Sequence, residues 1–512
     1  MKTKISVLLA IMAIVYSLSA CKSNKNQTCK PNIVFIYLDD LGSGDVGAYD
    51  ANAKVPTPNI DALANSGIRF TNGYSSSATC TPSRYALLTG TYPWRNANAQ
   101  ILPGSAPLII DTVMMTLPKM LKEAGYQTGI VGKWHLGLGD GNMDWNKSVT
   151  PGPNEVGFDQ SYIMAATQDR VPTVFIKDGK VENLDPNDSI YVNYNKNFDG
   201  EPTALTNPEL VKLQWHHGHN NSVVNGIPRI GYVKGGKSAY WNDSTMADNF
   251  NQKAIEYIKE KKDAPFFLYY ALQEPHVPRI PQPRWAGKSG VGARGDVIMQ
   301  ADWYVGQIIK TLEEEGIAEN TLVFFSSDNG TVLNDGYEDE ADKYWATNPT
   351  GGLRGGKYSL FEGGTKVPFL ISWKGTIESK VSDALVCQMD LMSSIAKLVG
   401  SDVRGQDSQD VLDAFIGKSD KGRESLVLEA TSRTAFRKGD WAMIPPFEGA
   451  TLNKQVNIEL GNSSEFQLYN IKEDPAQTNN LAVSNPEKLK ELLDEFISIR
   501  GEYSNTQKLI LE

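Results

Sequence analysis

The chain is poor in the residues that would make it a disulfide scaffold, a zinc protein or a nucleic-acid binder. Its 512 residues hold four cysteines and five histidines. Four cysteines are too few to staple a chain of this length. His216, His217 and His219 cluster, but no cysteine or carboxylate accompanies them at a metal-site spacing, which argues against zinc. Basic residues are also in deficit, with 50 Lys and Arg against 60 Asp and Glu. That balance excludes a nucleic-acid partner, so an anionic substrate must be drawn by a local pocket. Long apolar runs are absent beyond Ile5 to Tyr16, which is too short to span a bilayer.

That one run reads as an export signal. Lys2 and Lys4 precede it, and Leu18-Ser19-Ala20-Cys21 has the form of a bacterial lipobox. We expect residues 1–20 to be a signal peptide, Cys21 to carry lipid, and residues 21–29 to be a polar tether. The mature protein is then an exported, membrane-anchored lipoprotein, periplasm-facing or on the cell surface. Its membrane contact is through the anchor alone. Losing Lys2 and Lys4 moves the formal charge from −10 to −12. Cys29 and Cys387 are left as free thiols or a bridge.

The remainder alternates between strand and helix patterns. Apolar, β-branched runs occur at 33–38, 128–131, 266–271, 322–326 and 367–372. Helix candidates lie at 57–66, 117–124, 245–261, 296–315 and 382–398. Such alternation predicts an α/β fold: a mostly parallel central sheet with helices on both faces. Residues 30–419 form this expected catalytic domain. Within it, 139–241 is rich in Asn, Asp, Pro and Gly and reads as a loop-rich insertion that shapes a cleft. Residues 420–512 read as a smaller α+β subdomain, an antiparallel sheet with one helix.

Polar residues gather where the predicted strands end. In open parallel sheets, ligands bind beyond the carboxyl ends. One strand ends in Asp39-Asp40, a second in Gly132-Lys133-Trp134-His135, a third runs into Gln273-Glu274-Pro275-His276, and a fourth ends in Asp328-Asn329. One such end is an ordinary turn; four in agreement point to a site. The oxygen-only pairs suit a hard cation, Ca²⁺ or Mg²⁺, rather than zinc. Cys80 follows a Ser-rich turn and precedes a helix predicted from Pro82 to Thr89, with Gly90 as its stop. A thiol at a helix start would be a low-pKa nucleophile.

Cys80-Thr81-Pro82-Ser83-Arg84 resembles the Cys-X-Pro-X-Arg signature of the sulfatases. Asn32 to Gly42, Thr57 to Phe70, Gly132-Lys133-Trp134-His135-Leu136-Gly137, Leu353 to Pro368 and Phe466 to Ala482 resemble further blocks of that family. The resemblance implies an alkaline-phosphatase-like fold. It implies hydrolysis of a sulfate ester through formylglycine made from Cys80, with a formylglycine-generating enzyme as maturation partner. One Ca²⁺ would be held by Asp39, Asp40, Asp328, Asn329 and the residue made from Cys80. Arg84 would hold the formylglycine hydrate, and Lys133 and Lys357 would contact sulfate oxygens. His135 would orient the hydrate or take its proton, with Ser83 assisting, and His276 would protonate the departing sugar oxygen.

Export and the long insertion point to a sulfated sugar, such as a galactose or N-acetylgalactosamine sulfate of host glycans. Asp169, Arg170, His217 and His219 are the candidates to line its subsite. Trp134, Trp285 and Trp303 are candidates for sugar stacking or for packing. Three rivals remain: a phosphatase or phosphodiesterase on the same sheet, a cysteine hydrolase with a Cys–His pair, and a non-catalytic sulfoglycan-binding lipoprotein.

Overall fold

The computed structural model describes residues 30–339, 341–345, 347–501 and 511. The signal peptide, lipobox and Cys29 readings lie outside the described residues. No helix among the described residues is long and apolar enough to cross a membrane.

The chain folds around strand β1, Asn32–Leu38, whose seven residues are all buried. Its side chains alternate between two cores. Ile33, Phe35 and Tyr37 enter one, while Val34, Ile36 and Leu38 enter the other. A strand sealed on both faces is why this run is continuously apolar rather than alternating. Nine further strands complete the sheet: β2 (Ile68–Tyr74), β3 (Gln127–Lys133), β4 (Gln160–Met164), β5 (Ile176–Lys177), β6 (Lys180–Val181), β7 (Phe266–Ala271), β8 (Thr321–Ser327), β9 (Phe369–Trp373) and β10 (Lys380–Cys387). Their order is β10-β2-β9-β8-β1-β7-β3-β4-β5-β6. The central strands β8, β1, β7, β3 and β4 are parallel, whereas β9 runs against both its neighbours.

Helices cover both faces, as the strand–helix alternation predicts. One face packs residues of α2 (Cys80–Thr89), α3 (Leu117–Glu123) and α6 (Leu391–Val399). The other packs α1 (Pro58–Asn65), α4 (Met246–Lys261) and α5 (Ala293–Glu314). A four-stranded antiparallel sheet follows: β11 (Ser425–Ala430), β12 (Arg433–Lys438), β13 (Trp441–Ile444) and β14 (Gln467–Asn470). Helix α7, Pro486–Arg500, closes it. Leu426, Phe436, Leu468 and Phe496 of this unit share a core with Tyr74, Ala86 and Cys387.

Three expectations change. The 382–398 segment is not one helix: residues 380–387 form β10 beside β2, and the helix begins only at Leu391. Val381, Asp383 and the apolar run from Ala384 fit a sheet edge as well as a helix face, and pairing with β2 decided the matter. The 139–241 segment is not wholly an excursion, because Gln160–Met164 joins the sheet beside β3. Helix α2 starts at Cys80, with Thr79 as N-cap, two residues before Pro82.

Gly132 marks where sheet and site are tied together. Its φ is +112°, and a Cβ there would lie 1.9 Å from the Ala271 carbonyl oxygen. Only glycine lets β3 press this close to β7 while aiming the next residue, Lys133. Gly132→Ala should therefore lower stability by about 1–3 kcal/mol, read as a lower urea midpoint.

Candidate active site

The carboxyl ends of β1, β3, β7 and β8 converge with the start of α2. Asp39 and Asp40 follow β1 and Asp328 follows β8, and the three are fully buried. Backbone bonds lock this edge: Asp328 N donates to Leu38 O (3.1 Å) and Asp39 N to Glu274 O (3.0 Å). Asp40 has φ +64° and His135 φ +55°. Non-glycine residues in that region store about 1–3 kcal/mol each, which the surrounding packing must hold.

Each carboxylate has its own buried cation. Lys133 Nζ contacts Asp39. Lys357 Nζ lies 3.0 Å from Asp40. The Arg84 guanidinium donates from Nε (2.9 Å) and Nη2 (2.7 Å) to Asp328 Oδ2, and from Nη1 to the Lys133 carbonyl (3.2 Å). Arg84 thus pairs with Asp328, and its guanidinium lies over the Tyr37 ring at 5.1 Å. Cys80 Sγ is 3.5 Å from Asp39 Oδ1. Ligand atoms of Asp39, Asp40, Asp328 and Cys80 all lie within 4.8 Å of one another. Asn329 donates its amide to Asp40 Oδ1 at 2.6 Å, while its own Oδ1 is buried and unpartnered. Three carboxylates and a sulfur facing a common centre, with an idle amide oxygen on the neighbouring Asn329, fit a hard cation.

Electrostatics set the resting state of this cluster. Burial, then Asp328, pushes the Asp39 carboxyl up, and burial does the same to Asp40. Burial opposes charge on Lys357, yet Asp40 together with Cys80, Tyr358 and Asp335 outweighs it and holds the ammonium well above its usual range. Burial and Asp39 push the Cys80 thiol up. The helix start does not offset this, so the low-pKa thiol expected there is corrected: the fold raises the Cys80 thiol, which weighs against a cysteine hydrolase. His276 gives Nδ1 to the Val277 carbonyl (2.8 Å) and keeps Nε2 3.9 Å from Asp40 Oδ2. His135 Nε2 meets the Leu102 carbonyl at 3.0 Å, which leaves the buried Nδ1 unpartnered. Burial holds both imidazoles well below their usual range. Lys357 and Lys133 add to this at His276, and Lys133 and Arg170 at His135.

Above the cluster lies a small pocket of about 160 Å³. Cys80, His135, His276 and Lys357 line it together with Asp169, Arg170, His217 and His219 from the insertion. Asp169 anchors the rim, accepting from His219 Nε2 (2.9 Å) and Arg170 Nη1 (3.1 Å). Sequence reasoning missed Asp335, Tyr358 and Ile101 on the same wall. Asp335 lies 3.7 Å from Lys357 Nζ, and its carboxylate can share a centre with Asp40 and His276. Asn334-Asp335-Gly336 has the composition of a turn, which hid it. Ser83 binds the Ser77 carbonyl (2.8 Å) and shapes the preceding turn instead. Trp134 is fully buried on the Gly137 carbonyl, and Trp285 and Trp303 pack 6.4 Å apart, off the pocket wall.

Comparison with known proteins assigns the chain to a family. The sulfatase family model matches residues 31–401. The chain is 46% identical over 507 residues to an N-acetylgalactosamine-6-O-sulfatase of Bacteroides thetaiotaomicron, covering 97% of this chain and 99% of that protein. It is 30% identical over 482 residues to human arylsulfatase A, covering 90% and 86% respectively. A solved sulfatase structure from work on glycosaminoglycan metabolism by Bacteroides thetaiotaomicron superposes with a TM-score of 0.91 at 47% identity. That match covers 92% of this chain and 99% of the other.

Glu274 supports the site from behind, giving its carbonyl to Asp39. Its own carboxyl is buried, with Oε1 accepting from Gln300 (3.1 Å) and Oε2 unpartnered. Burial raises it from 4.5 to about 7. The folded chain therefore keeps a proton that the unfolded chain loses, and stability falls as pH rises from about 4.5 to about 7 and is level above. Glu274→Gln should gain on the parent through that window, by at most about 3 kcal/mol at high pH. Urea midpoints across the window measure it, and a margin independent of pH would mean Glu274 is ionised in the fold.

Proposed function

We propose, for a chain that belongs to the sulfatase family and is a sulfuric ester hydrolase acting on carbohydrate sulfate, that its substrate is the 6-O-sulfate of N-acetylgalactosamine units in glycans. The observation that carries this reading is the 46% identity to an N-acetylgalactosamine-6-O-sulfatase along 97% of the chain. The insertion that lines the pocket is included in that span.

Asp39, Asp40, Asp328 and Asn329 would hold a calcium ion, and the idle Asn329 oxygen supports that fit. Bound there, calcium would supply Lewis-acid charge, and formylglycine made from Cys80 would supply the attacking hydroxyl. The chain's own residues do the remaining work. Lys133 and Lys357 act as point charges on sulfate oxygens, pre-set by their carboxylates so that little reorganisation is needed. Arg84 keeps Asp328 from turning. His135, bound through Nε2, leaves Nδ1 free to accept a proton at the Cys80 position. His276 is neutral while two ammoniums face it. An incoming sulfate ester offsets that charge, so Nε2 takes up the proton it passes to the departing sugar oxygen.

Asp169, Arg170, His217 and His219 read the sugar by hydrogen bonds to its hydroxyls. A buried polar rim of this kind penalises sugars that leave it unpaired. Export, a lipid on Cys21, maturation by a formylglycine-generating enzyme, and a catalytic domain at 30–419 with a C-terminal subdomain at 420–512 belong to the same proposal.

The test is sulfate release from a panel of position-defined sulfated sugars with Ca²⁺, using protein whose residue 80 has been checked by mass spectrometry. The 6-O-sulfate of N-acetylgalactosamine should be released at least about tenfold faster than the 4-O isomer. Cys80→Ala should abolish release, and Arg170→Ala should chiefly raise KM. Release confined to another position would reject the substrate, and full activity of unconverted thiol would reject the mechanism.

A further inference from the structure

The pocket over Cys80 is too small for more than one sugar ring with its sulfate. Its volume of about 160 Å³ is below the range of about 300–1,000 Å³ that houses larger ligands. Whatever is linked to that ring must continue outside the mouth. A second cavity, a groove of about 730 Å³, adjoins it there. His217 lines both, and Asn334 of the groove is the neighbour of Asp335 of the pocket wall.

Three segments distant in sequence build the groove. They are the 216–217 part of the insertion, the loop after β8 at 334–339 with Ala341, and Lys454 and Gln455 between the short strands Leu452–Asn453 and Ile458–Glu459. The segments are fastened together. His216 N donates to Gly336 O (3.0 Å), Glu338 N to Gln214 O (3.0 Å), and Asn334 Nδ2 to Gln455 O (3.3 Å). A Cβ on Gly336, whose φ is +91°, would lie 1.9 Å from His219 Nδ1. Only glycine lets this loop close against the pocket rim, so groove and pocket keep a set relation.

The groove's chemistry is imidazole, amide, ammonium and carboxylate. Lys454 and Glu338 are exposed and have no ion-pair partner among the described residues. Candidate metal clusters among the described residues lie at the catalytic edge, not here. Donors and acceptors beside the Tyr337 ring suit a saccharide, which offers hydroxyls to the polar groups and a C–H face to the ring, whereas a wholly apolar ligand would leave the polar groups without partners.

We infer that this groove is a second saccharide subsite, which takes the sugar unit glycosidically linked to the sulfated residue. The protein then reads an oligosaccharide rather than a lone sulfated sugar. This rests on the substrate reading given above for the pocket.

Binding by Cys80→Ala protein tests the two readings separately, without turnover. The probes are 6-O-sulfated N-acetylgalactosamine and a disaccharide carrying it, titrated calorimetrically. The disaccharide should bind more tightly. The ratio of the two affinities should fall about fivefold in a Lys454→Ala/Gln455→Ala variant, the effect of about one net hydrogen bond. Both residues are exposed in a turn, and an unchanged melting temperature would confirm the fold. A ratio that does not change, or a parent that binds both sugars equally, overturns the subsite and leaves the pocket reading standing. If neither sugar binds the parent, both readings fall.

Discussion

Three buried carboxylates and three buried cations share one edge of the sheet, and the site depends on their pairing. Asp39 faces Lys133, Asp40 faces Lys357 and Asp328 faces Arg84, each pair essentially shut off from solvent. Taking one partner from such a pair leaves an uncompensated buried charge, which costs about 3–5 kcal/mol. As the pairs stand, the cluster is close to neutral. A divalent cation would make it strongly positive, the condition for gathering a sulfate ester into a protein that is acidic overall. The pairs hold the charged groups in place, and under the proposed calcium reading the same cations would serve as clamps on the sulfate.

That balance needs a frame that does not yield. The frame is the doubly covered sheet, in which alternate residues of β1 lock into separate cores on either side. Strand ends in such a sheet cannot move independently, because each is hydrogen-bonded to its neighbour. Left-handed backbone at Asp40 and His135 persists for the same reason. The close contact of Gly132 with Ala271 shows how finely the frame is fitted where β3 delivers Lys133.

Much of this was legible in the residues. The continuous apolar strands, the helices between them and the polar strand ends led to a parallel, doubly covered sheet with a site at its carboxyl edge. The five-residue block at Cys80 led to the sulfatase family. Less legible was anything decided by pairing between distant segments. Residues 380–387 carry enough apolar character for either a helix or a strand, and only the exposed edge of β2 selected the strand. Asp335 sits in a sequence indistinguishable from a turn, and its place beside Lys357 follows from where the loop after β8 returns.

The sequence by itself determined the chemistry available here: paired oxygen ligands, Lys133, His135 and His276 at or just past strand ends, Lys357 in a glycine-rich loop, and a cysteine within a recognisable signature. Short motifs can do this because each lies on one strand end, one helix start or one loop, where local spacing places it. The tertiary structure alone decided the electrical state and the boundary of the site. It buried Cys80 deeply, which pushes its thiol up, and paired each carboxylate with a cation from a different element. It also folded the insertion over the pocket through Asp169, Arg170 and His219. Desolvation and long-range pairing set those outcomes, and neither has a signature in local sequence, because both depend on which distant residues exclude water from the same volume.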